Sequence, residues 1–354
     1  MPMDIKQYKI LVSGNAPKLY PTDTFFGLLY DEEDDAMEIP KRYPYKGEWG
    51  EVLSNHLLNK EDYYMPFKID MVWLSIVERK FYSIETYMPV LGMEELWKQQ
   101  NKETGELLFT HIIVGMAPYG GVALWFNGFD KSILLGWLKA KEINVDIADF
   151  KPTNPDTTLD EICDFYINND AKVKENLEKN GLPPKNLFDK YMQQFIYRYL
   201  PIFERFDSDE KRWQKYKEDE TVPEFEFIEE ALFDGTHDKL HDDNLLRYHE
   251  AGKPKKLAIK WHIKKTEYFA YFWFDDEKIR EVFDKFYGAH PDTKTDFIIR
   301  IDAENKKYEL ALYRYGLKEP QVIPEDVYQL LVFKNKFEDY RSDNYDQERG
   351  AWIW

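Results

Sequence analysis

Hydrophobic and polar residues alternate over two long stretches of the chain, and this period of two is typical of strands. "MVWLSIVERKFYSIETYMP" (residues 71–89) forms two such segments around the polar Glu78, Arg79 and Lys80. The stretch "GMEELWKQQN" then has a helical pattern. "HIIVGMAPYGGVALWFNG" follows as two apolar runs about a Gly-rich turn, which predicts a hairpin. The predicted order is strand, strand, helix, strand, strand.

The same order recurs in the last third of the chain. "LAIKWHIKKTEYFAYFWF" (residues 257–274) again reads as two strands, and "DDEKIREVFDKFYG" has apolar residues at helical spacing before Gly288. "DFIIRIDAENKKYELALYRY" predicts a second hairpin. We infer a diverged tandem β-β-α-β-β unit. Coincidence is the alternative, because hairpins and helices are common.

The stretch between these two regions is acidic and has the spacing of helices. Thr158 and Glu161 form a capping-box pattern. "NLFDKYMQQFIYRYLP" would place Phe188, Phe195 and Tyr199 on one helical face. "SDEKRWQKYKEDE" and "PEFEFIEEALFDG" are also expected to be helical. In contrast, prolines interrupt the first 60 residues, which we expect to be irregular.

These patterns predict an α+β fold in which antiparallel sheets flank a helical middle segment. The expected segments are an irregular N-terminal part (1–60), a first β-β-α-β-β unit (61–154), an acidic helical insert (155–254) and a second β-β-α-β-β unit with a C-terminal clasp (255–354).

Composition and charge narrow the function. The chain has 354 residues, 17% of them aromatic, and a formal charge of −18. Such a charge repels nucleic acid, so we expect no nucleic-acid partner. No apolar run reaches the roughly 20 residues of a membrane span, and no signal peptide is recognisable. The sequence predicts a cytoplasmic protein, or a periplasmic lipoprotein if a leader has been removed.

The densest charge run is acidic and includes Asp31, Glu32, Glu33, Asp34 and Asp35. Like charges in series repel each other and extend the chain, which favours a solvated loop. The alternative is an acidic docking surface for a basic protein partner.

The stretch "THDKLHDDNLLRYHE" raises the question of a metal site. His237 and His241 are four residues apart and would share a helical face, with His249 or Asp242 as a third ligand. Asp238 stands where a zinc peptidase has its glutamate base, and the shorter side chain does not suit that geometry. A solvated loop is favoured over a metal site, and no cofactor is expected. The single cysteine, Cys163, is expected to be an apolar filler.

The last residues are unusual for a chain end because they include two tryptophans. Trp352 and Trp354 would point the same way on an extended strand, which suggests a segment that docks and buries both rings. Arg341 and Arg349 either pair with nearby acidic residues or bind a ligand.

Several of these stretches resemble an uncharacterised bacterial family, domain of unknown function 2931. The resemblance rests on "VGMAPYGGVALWFNG", "KWHIKK", "EKIREVFDKFYG", "FIIRIDAENKKYELAL" and "LLVFKNKFEDYRSDNYDQERGAWIW". The family has no established catalytic residues, so the resemblance implies no active site. It implies a connection with lipoproteins and with type VI secretion, where such proteins are suspected immunity factors.

The leading hypothesis is therefore a non-catalytic binding protein, an immunity protein that neutralises a secreted antibacterial toxin encoded by a neighbouring gene. Acidic charge would steer a basic toxin, and Tyr and Trp side chains would supply affinity. The alternatives are a hydrolase that acts on a sugar or another small polar substrate through a carboxylate pair, and a repeat-built scaffold.

Overall fold

The computed structural model describes residues 9–41, 44–53, 63–89, 92–101, 104–218, 221–302, 307–335 and 338–343. The chain forms two compact units. The first unit comprises Met1–Lys190 with Asp234–Thr236, and the second comprises Tyr191–Phe233 with His237–Trp354.

The described residues of the first unit form nine strands and five short α-helices. The strands are β1 (Leu11–Asn15), β2 (Thr22–Tyr30), β3 (Ala36–Glu38), β4 (Lys68–Ser75), β5 (Lys80–Tyr87), β6 (His111–Ala117), β7 (Gly121–Asn127), β8 (Ser132–Lys139) and β9 (Lys141–Ile143). The helices are α1 (Met93–Trp97), α2 (Ile147–Phe150), α3 (Leu159–Asn168), α4 (Ala171–Asn180) and α5 (Leu187–Tyr191).

Two sheets enclose the main core of the first unit. One has the strand order β1-β6-β7-β8, in which β1 and β6 are parallel, and the other has the order β3-β2-β4-β5-β9. Trp73 of β4, Trp97 of α1 and Phe126 of β7 are fully buried in the core that they share. Helices α2 and α3 cover the opposite face of the second sheet, where Leu74 and Phe81 join a smaller core cluster.

In the second unit, the part of the chain that the structure describes forms twelve strands and two α-helices. The strands are β10 (Phe195–Asp207), β11 (Arg212–Gln214), β12 (Glu224–Leu232), β13 (His237–Leu240), β14 (His249–Ala251), β15 (Pro254–Ile263), β16 (Thr266–Phe274), β17 (Thr295–Asp302), β18 (Tyr308–Tyr313), β19 (Gln321–Val322), β20 (Tyr328–Lys334) and β21 (Glu338–Asp343). The helices are α6 (Asp242–Leu245) and α7 (Asp276–Tyr287).

The second unit repeats the pairing pattern of the first. Strand β10 is parallel to β17, and the order β10-β17-β18-β19 matches β1-β6-β7-β8. The order β13-β12-β15-β16-β20 matches β3-β2-β4-β5-β9. Strands β11, β14 and β21 are additions. The core between the sheets contains Trp261 of β15, which is fully buried, and the apolar face of α7.

The two units also share a local irregularity. In the first unit Trp73 pairs with Thr24 of β2, and a β-bulge follows between Thr24 and Phe26. In the second unit Trp261 pairs with Phe225 of β12, and a bulge follows between Phe225 and Phe227. This common point aligns the strands of the two units residue by residue.

Several predicted elements are confirmed. Strands β4 and β5 form the first predicted pair, β6 and β7 form the first hairpin, and β15, β16, α7, β17 and β18 follow in the predicted order. The β6–β7 turn includes Gly120 at φ 71°, where a Cβ atom would lie 2.8 Å from the carbonyl oxygen of Ala140. The capping box of Thr158 and Glu161 is present at the start of α3.

The prediction of a fully helical middle segment is wrong. Helices α3 and α4 lie there, but residues 195–207 form β10. Phe195, Tyr197 and Tyr199 are all buried, and the partly exposed Ile196 and Arg198 lie between them, which is the period of two of a strand. "PEFEFIEEALFDG" likewise contains β12, and "SDEKRWQKYKEDE" contains β11. The prediction failed because the spacing of the apolar residues is compatible with the period of a helix as well as with that of a strand.

The prediction of an irregular N-terminal segment is also wrong for its described part. Strands β1, β2 and β3 lie there, because the prolines fall between strands and not inside them: Pro17 and Pro21 lie between β1 and β2, and Pro40 follows β3. The described fold as a whole is mostly β-sheet with few helices, as in an α+β class. Within the described ranges, no helix is long and apolar enough to cross a membrane.

Candidate functional site

The predicted acidic docking loop has one buried member. The Asp31 side chain is inaccessible, and its carboxylate accepts hydrogen bonds from the backbone N–H groups of Glu33, Asp35 and Tyr64. Asp31 therefore stabilises the turn that follows β2. Glu32, Glu33 and Asp34 are exposed, and Asp35 is partly exposed.

The C-terminal residues of the predicted clasp lie mostly beyond the described part of the chain. Arg341 lies on β21, opposite Val332 of β20. Arg349, Trp352 and Trp354 are outside the described residues, so the clasp stays a prediction.

The helix expected to carry His237 and His241 does not form. His237 begins strand β13, His241 immediately precedes α6, and His249 begins β14. Among the residues that the structure describes, no group of three or more His, Cys, Asp or Glu side chains could hold a metal ion. Cys163 is fully buried, and burial raises the pKa of its thiol to about 12, as suits an apolar filler.

His249 instead belongs to a buried cluster in the second unit. The Tyr199 hydroxyl donates to Glu230 Oε2 at 2.6 Å, and His249 Nε2 lies 3.6 Å from Glu230 Oε1. Burial lowers the pKa of His249, but the nearby carboxylate of Glu230 outweighs this effect, and the net pKa is raised. The Tyr197 hydroxyl donates to the carbonyl oxygen of Gly252. The cluster joins β10, β12 and β14.

A buried carboxylate also occurs in the first unit. Asp23 Oδ2 accepts hydrogen bonds from Lys151 Nζ at 2.9 Å and from the Tyr166 hydroxyl at 3.2 Å. Asp23 Oδ1 is buried and has no hydrogen-bond partner among the described residues. Burial raises the pKa of Asp23 to about 6, against the opposing effect of Lys151.

Lys151 and Tyr166 line a cavity of about 320 Å³ beside α3, which also includes Glu161. Backbone and hydroxyl hydrogen bonds from Thr158 lower the pKa of Glu161, because Glu161 caps the helix. A carboxylate held ionised in this way does not suit general-acid chemistry.

An extensive array of aromatic and charged side chains lies on one sheet face of the second unit, and its members are partly exposed except Trp273, which is buried. Successive side chains of a strand point to opposite faces of the sheet. In β12, β15, β16 and β20 every second residue belongs to the core, so the residues that alternate with these point away from it. We call this surface the outer face, and its members are Phe227, Lys256, Lys260, Phe269, Tyr271, Trp273, Gln329 and Phe333.

Aromatic rings and lysines of the outer face contact each other. The Tyr271 and Trp273 rings are stacked with centroids 5.7 Å apart, and Phe333 meets Tyr271 edge-on at 5.8 Å. Lys256 Nζ lies 5.1 Å from the Tyr271 ring centroid, and Lys260 Nζ lies 5.3 Å from that of Phe269. These are cation–π distances.

Glutamates surround the lysines of the outer face. Lys260 pairs with Glu226 at 2.6 Å and with Glu267 at 3.1 Å. Burial lowers the pKa of Lys260, but these hydrogen bonds outweigh it and raise the net pKa. Burial lowers the pKa of Lys256 to about 8. The face is thus aromatic, with its positive charges offset locally.

A cavity of about 300 Å³ lies at one end of the outer face. We call it the Trp273 cavity; its lining residues are Trp273, Asp275, Lys278, Asp326, Val327, Tyr328 and Gln329. Lys278 Nζ donates to Asp326 Oδ2 at 2.8 Å, and this hydrogen bond lowers the pKa of Asp326. Asp275 caps α7 by accepting from the backbone N–H of Lys278. Two carboxylates thus accompany one ammonium group beside an indole ring.

Sequence reasoning missed both the outer face and the Trp273 cavity. The signal was present in "EYFAYFWF", where Phe269, Tyr271 and Trp273 alternate with core residues. Both faces of this strand carry aromatic residues, so alternation of polarity could not identify the outward side. The cavity depends on Asp326, which is 51 positions from Asp275 in the sequence.

Each unit consists of two β-sheets that enclose an aromatic core. Comparison with known families shows to which family the chain belongs. The model of the family described as "Protein of unknown function (DUF2931)" matches residues 2–184. The chain belongs to this family. No curated protein and no solved structure matches it.

The matched range coincides closely with the first unit. It contains "VGMAPYGGVALWFNG" but ends before the stretches of residues 255–354 that also carried the resemblance. The family match therefore supports the resemblance through the first unit only.

Proposed function

We propose that the second unit is a diverged copy of the family domain, so that the chain contains two β-β-α-β-β units in tandem. The support is the shared pairing order, which includes one parallel pair in each unit, and the shared bulge beside Trp73 and Trp261. Chance recurrence of single hairpins does not account for a parallel pair at the same place in both orders.

We further propose that the protein is a non-catalytic binding protein that holds a basic protein partner on the outer face. The observation that carries this proposal is the array of stacked and lysine-contacting aromatic rings on that face. Tyr and Trp are common anchors of protein interfaces. The charge of −18 would speed the encounter with a basic partner.

The partner that we propose is a secreted antibacterial toxin encoded by a neighbouring gene, and the protein would be its immunity factor. This follows the family resemblance and the acidic charge. Hydrolysis by a carboxylate pair receives less support, because a general acid needs a raised pKa. Asp326 of the Trp273 cavity and Glu161 of the cavity beside α3 have lowered pKa values. Asp23, whose pKa is raised to about 6, is bonded to Lys151 and Tyr166 and is not among the described lining residues of either cavity.

Co-purification tests this function. The full chain is purified with each product of its flanking genes at low and high salt, and the affinity of any complex is measured. We expect one complex, which forms more slowly as salt rises. Tyr271→Ala should weaken it at least tenfold, because the side chain contacts Trp273, Phe333 and Lys256 at the centre of the outer face.

Tyr87→Ala is the matched control. Tyr87 occupies in the first unit the position that Trp273 occupies in the second, and it is 73% exposed. This variant should bind as the unchanged protein does. Failure to bind any flanking product, or equal binding by Tyr271→Ala, would overturn the proposal.

A further inference from the structure

The cavity beside α3 joins an open aromatic ring to polar side chains. All of its described lining residues lie between Lys151 and Tyr166, in the connection from α2 to α3 and in α3 itself. Its volume of about 320 Å³ is within the range of sites that hold a small molecule. One short, continuous part of the first unit therefore forms the described lining.

Phe165 supplies the open ring, and its side chain is 64% exposed. Tyr166 meets it edge-on, with ring centroids 5.7 Å apart and an angle of 72° between the ring planes. A contact of this geometry covers at most one face of a ring, so a face of Phe165 is open to a ligand. The two rings are nearly perpendicular, so they form no parallel slot in which a flat nucleobase could be sandwiched.

Two polar side chains of the lining have atoms that the fold leaves available. Thr157 and Thr158 direct hydrogen bonds of 2.8–3.3 Å to Oε2 of Glu161, and Oε1 accepts none among the described residues. The Asn154 side chain is exposed, and within the described part of the chain its amide forms no hydrogen bond. A carboxylate oxygen accepts hydrogen bonds, and an amide both donates and accepts them. This pair suits neighbouring hydroxyl groups of a ligand.

Charge does not favour an ionic ligand in this cavity. The ammonium group of Lys151 donates to Asp23 at 2.9 Å, so its charge is offset for an incoming anion. Glu161 is exposed to solvent, where the attraction between a carboxylate and a cation contributes little. A neutral ligand with several hydroxyl groups fits better, because these groups can bond to both Glu161 and Asn154.

We propose that the cavity beside α3 binds one ring of a sugar. The C–H groups of a pyranose would lie on the open face of Phe165, one hydroxyl would donate to Glu161 Oε1, and a neighbouring hydroxyl would bond to the Asn154 amide. Glu161 is the only carboxylate among the described lining residues, whereas glycoside hydrolysis uses a pair. The site therefore binds the sugar without cleaving it.

Saturation-transfer difference NMR with the full chain tests the site. The probes are methyl pyranosides of gluco, galacto, manno and 2-acetamido-2-deoxy-gluco configuration, and sorbitol is the control because it has similar hydroxyl groups without a rigid ring. We expect a saturable signal from one or more pyranosides, with a Kd on the order of a millimolar, as suits a single ring. Sorbitol should respond about fivefold more weakly. Equal responses, or no signal from any pyranoside, would contradict the inference.

Variants locate the sugar in the cavity. Phe165→Ala and Asn154→Ala change exposed residues, so both should fold, and each should weaken binding of the best pyranoside about fivefold. Phe129→Ala and Asn168→Ala are the matched controls, because these exposed residues of the first unit lie outside the lining, and they should bind as the unchanged protein does. Unchanged binding by Phe165→Ala would show that the sugar lies elsewhere and that the inference is wrong.

Glu161→Gln separates charge from folding. Glutamine fits the capping box as glutamate does, so α3 should form, but a neutral oxygen accepts a weaker hydrogen bond. Binding should weaken about threefold. Nitrophenyl glycosides of the bound configuration should stay intact with the unchanged protein. Release of nitrophenol that Glu161→Gln abolishes would overturn the assignment as a site that does not cleave its ligand.

Sugar binding and the proposed function can fail separately. The cavity beside α3 belongs to the first unit, whereas the outer face belongs to the second. Phe165→Ala should therefore leave the affinity for a flanking product unchanged, and Tyr271→Ala should leave the affinity for the pyranoside unchanged. Loss of both activities in either variant would show that the two sites are not independent.

Discussion

The two units carry different side chains on corresponding faces of corresponding sheets. In the first unit, Val72, Leu74 and Phe81 are buried beneath α2 and α3. The matched positions in the second unit, reached by aligning Trp73 with Trp261, are Lys260, His262 and Glu267. Helices seal the sheet of the first unit, whereas the second unit presents ion pairs and aromatic rings. The same strand order thus serves a closed core in one unit and the proposed binding surface in the other.

A second difference lies inside the core. Leu29 of β2 and Glu230 of β12 occupy matched positions, opposite Ile69 and Leu257 respectively. The first unit buries a leucine there, and the second buries a carboxylate that accepts a hydrogen bond from Tyr199 and lies 3.6 Å from the His249 ring nitrogen Nε2. A buried carboxylate needs such partners. Strand β14, which supplies His249, has no counterpart among the described strands of the first unit.

The largest expected loss of stability concerns Trp73 and Trp261, the two tryptophans at matched positions beside the bulges. Trp73→Ala and Trp261→Ala each remove a fully buried side chain, so each should lower the free energy of unfolding by about 3–5 kcal/mol. Urea unfolding measures the loss, and hydrogen exchange should show faster opening in the unit that carries the substitution. A loss of less than about 1 kcal/mol at either position would break the alignment. Tyr87→Ala, at an exposed site, should change stability little.

The next largest effect is a dependence of the free energy of unfolding on pH, which arises from Asp23. Its pKa is about 6 in the folded protein, against an ordinary value of 3.8 in the unfolded chain, so the folded protein holds more protons between these values. Stability from this group is complete below about pH 4 and is lost as pH rises through about 6, a total of about 3 kcal/mol. Asp23→Asn should remove this dependence in urea unfolding from pH 4 to pH 7.

The matched control for Asp23 is Glu224, whose side chain is 77% exposed. Glu224→Gln should leave the pH dependence of the unchanged protein intact. An identical pH profile for Asp23→Asn and the unchanged protein would mean that burial of Asp23 does not perturb its titration.

A smaller effect should appear when the core of the second unit is made to resemble that of the first. Glu230→Leu removes the group that contributes most to raising the pKa of His249, so burial is opposed only by the Arg247 carbonyl and the charge of Asp238, and the pKa should fall. In the unchanged protein the His249 contribution to stability is present below pH 6.5 and is lost as pH rises through the raised pKa. NMR titration of the His249 ring measures both values. Glu229→Gln, on the neighbouring outward position, should leave the pKa raised.

The smallest effect leaves stability unchanged and compares two lysines. Lys68 and Lys256 occupy matched positions, but the hydrogen bond with Glu85 raises the pKa of Lys68, whereas burial lowers that of Lys256 to about 8. Acylation by an amine-specific reagent, followed by mass spectrometry across a pH series, should reach half its maximal rate near pH 8 at Lys256. At Lys68 the midpoint should lie above 10.5. Equal midpoints would show that the two faces are equally solvated.

The sequence alone determined the local elements whose period was unambiguous. Strands β4 and β5, the β6–β7 hairpin and helix α7 follow from alternation, turn glycines and apolar spacing, because these signals act between neighbours in the chain. The stretch around Phe195 and Tyr199 could not be assigned in this way. Its aromatic residues are compatible with a helix, and only pairing with β17 establishes a strand there.

Only the tertiary structure decided which residues meet. Glu230, Tyr199 and His249 belong to three strands, and Asp275 and Asp326 belong to segments far apart in sequence. Likewise, Trp261 and Trp273 are both aromatic residues of neighbouring strands, yet one lies in the core and the other on the outer face. Local sequence sets the period of each strand, but long-range sheet pairing sets its register and therefore the side on which each ring lies.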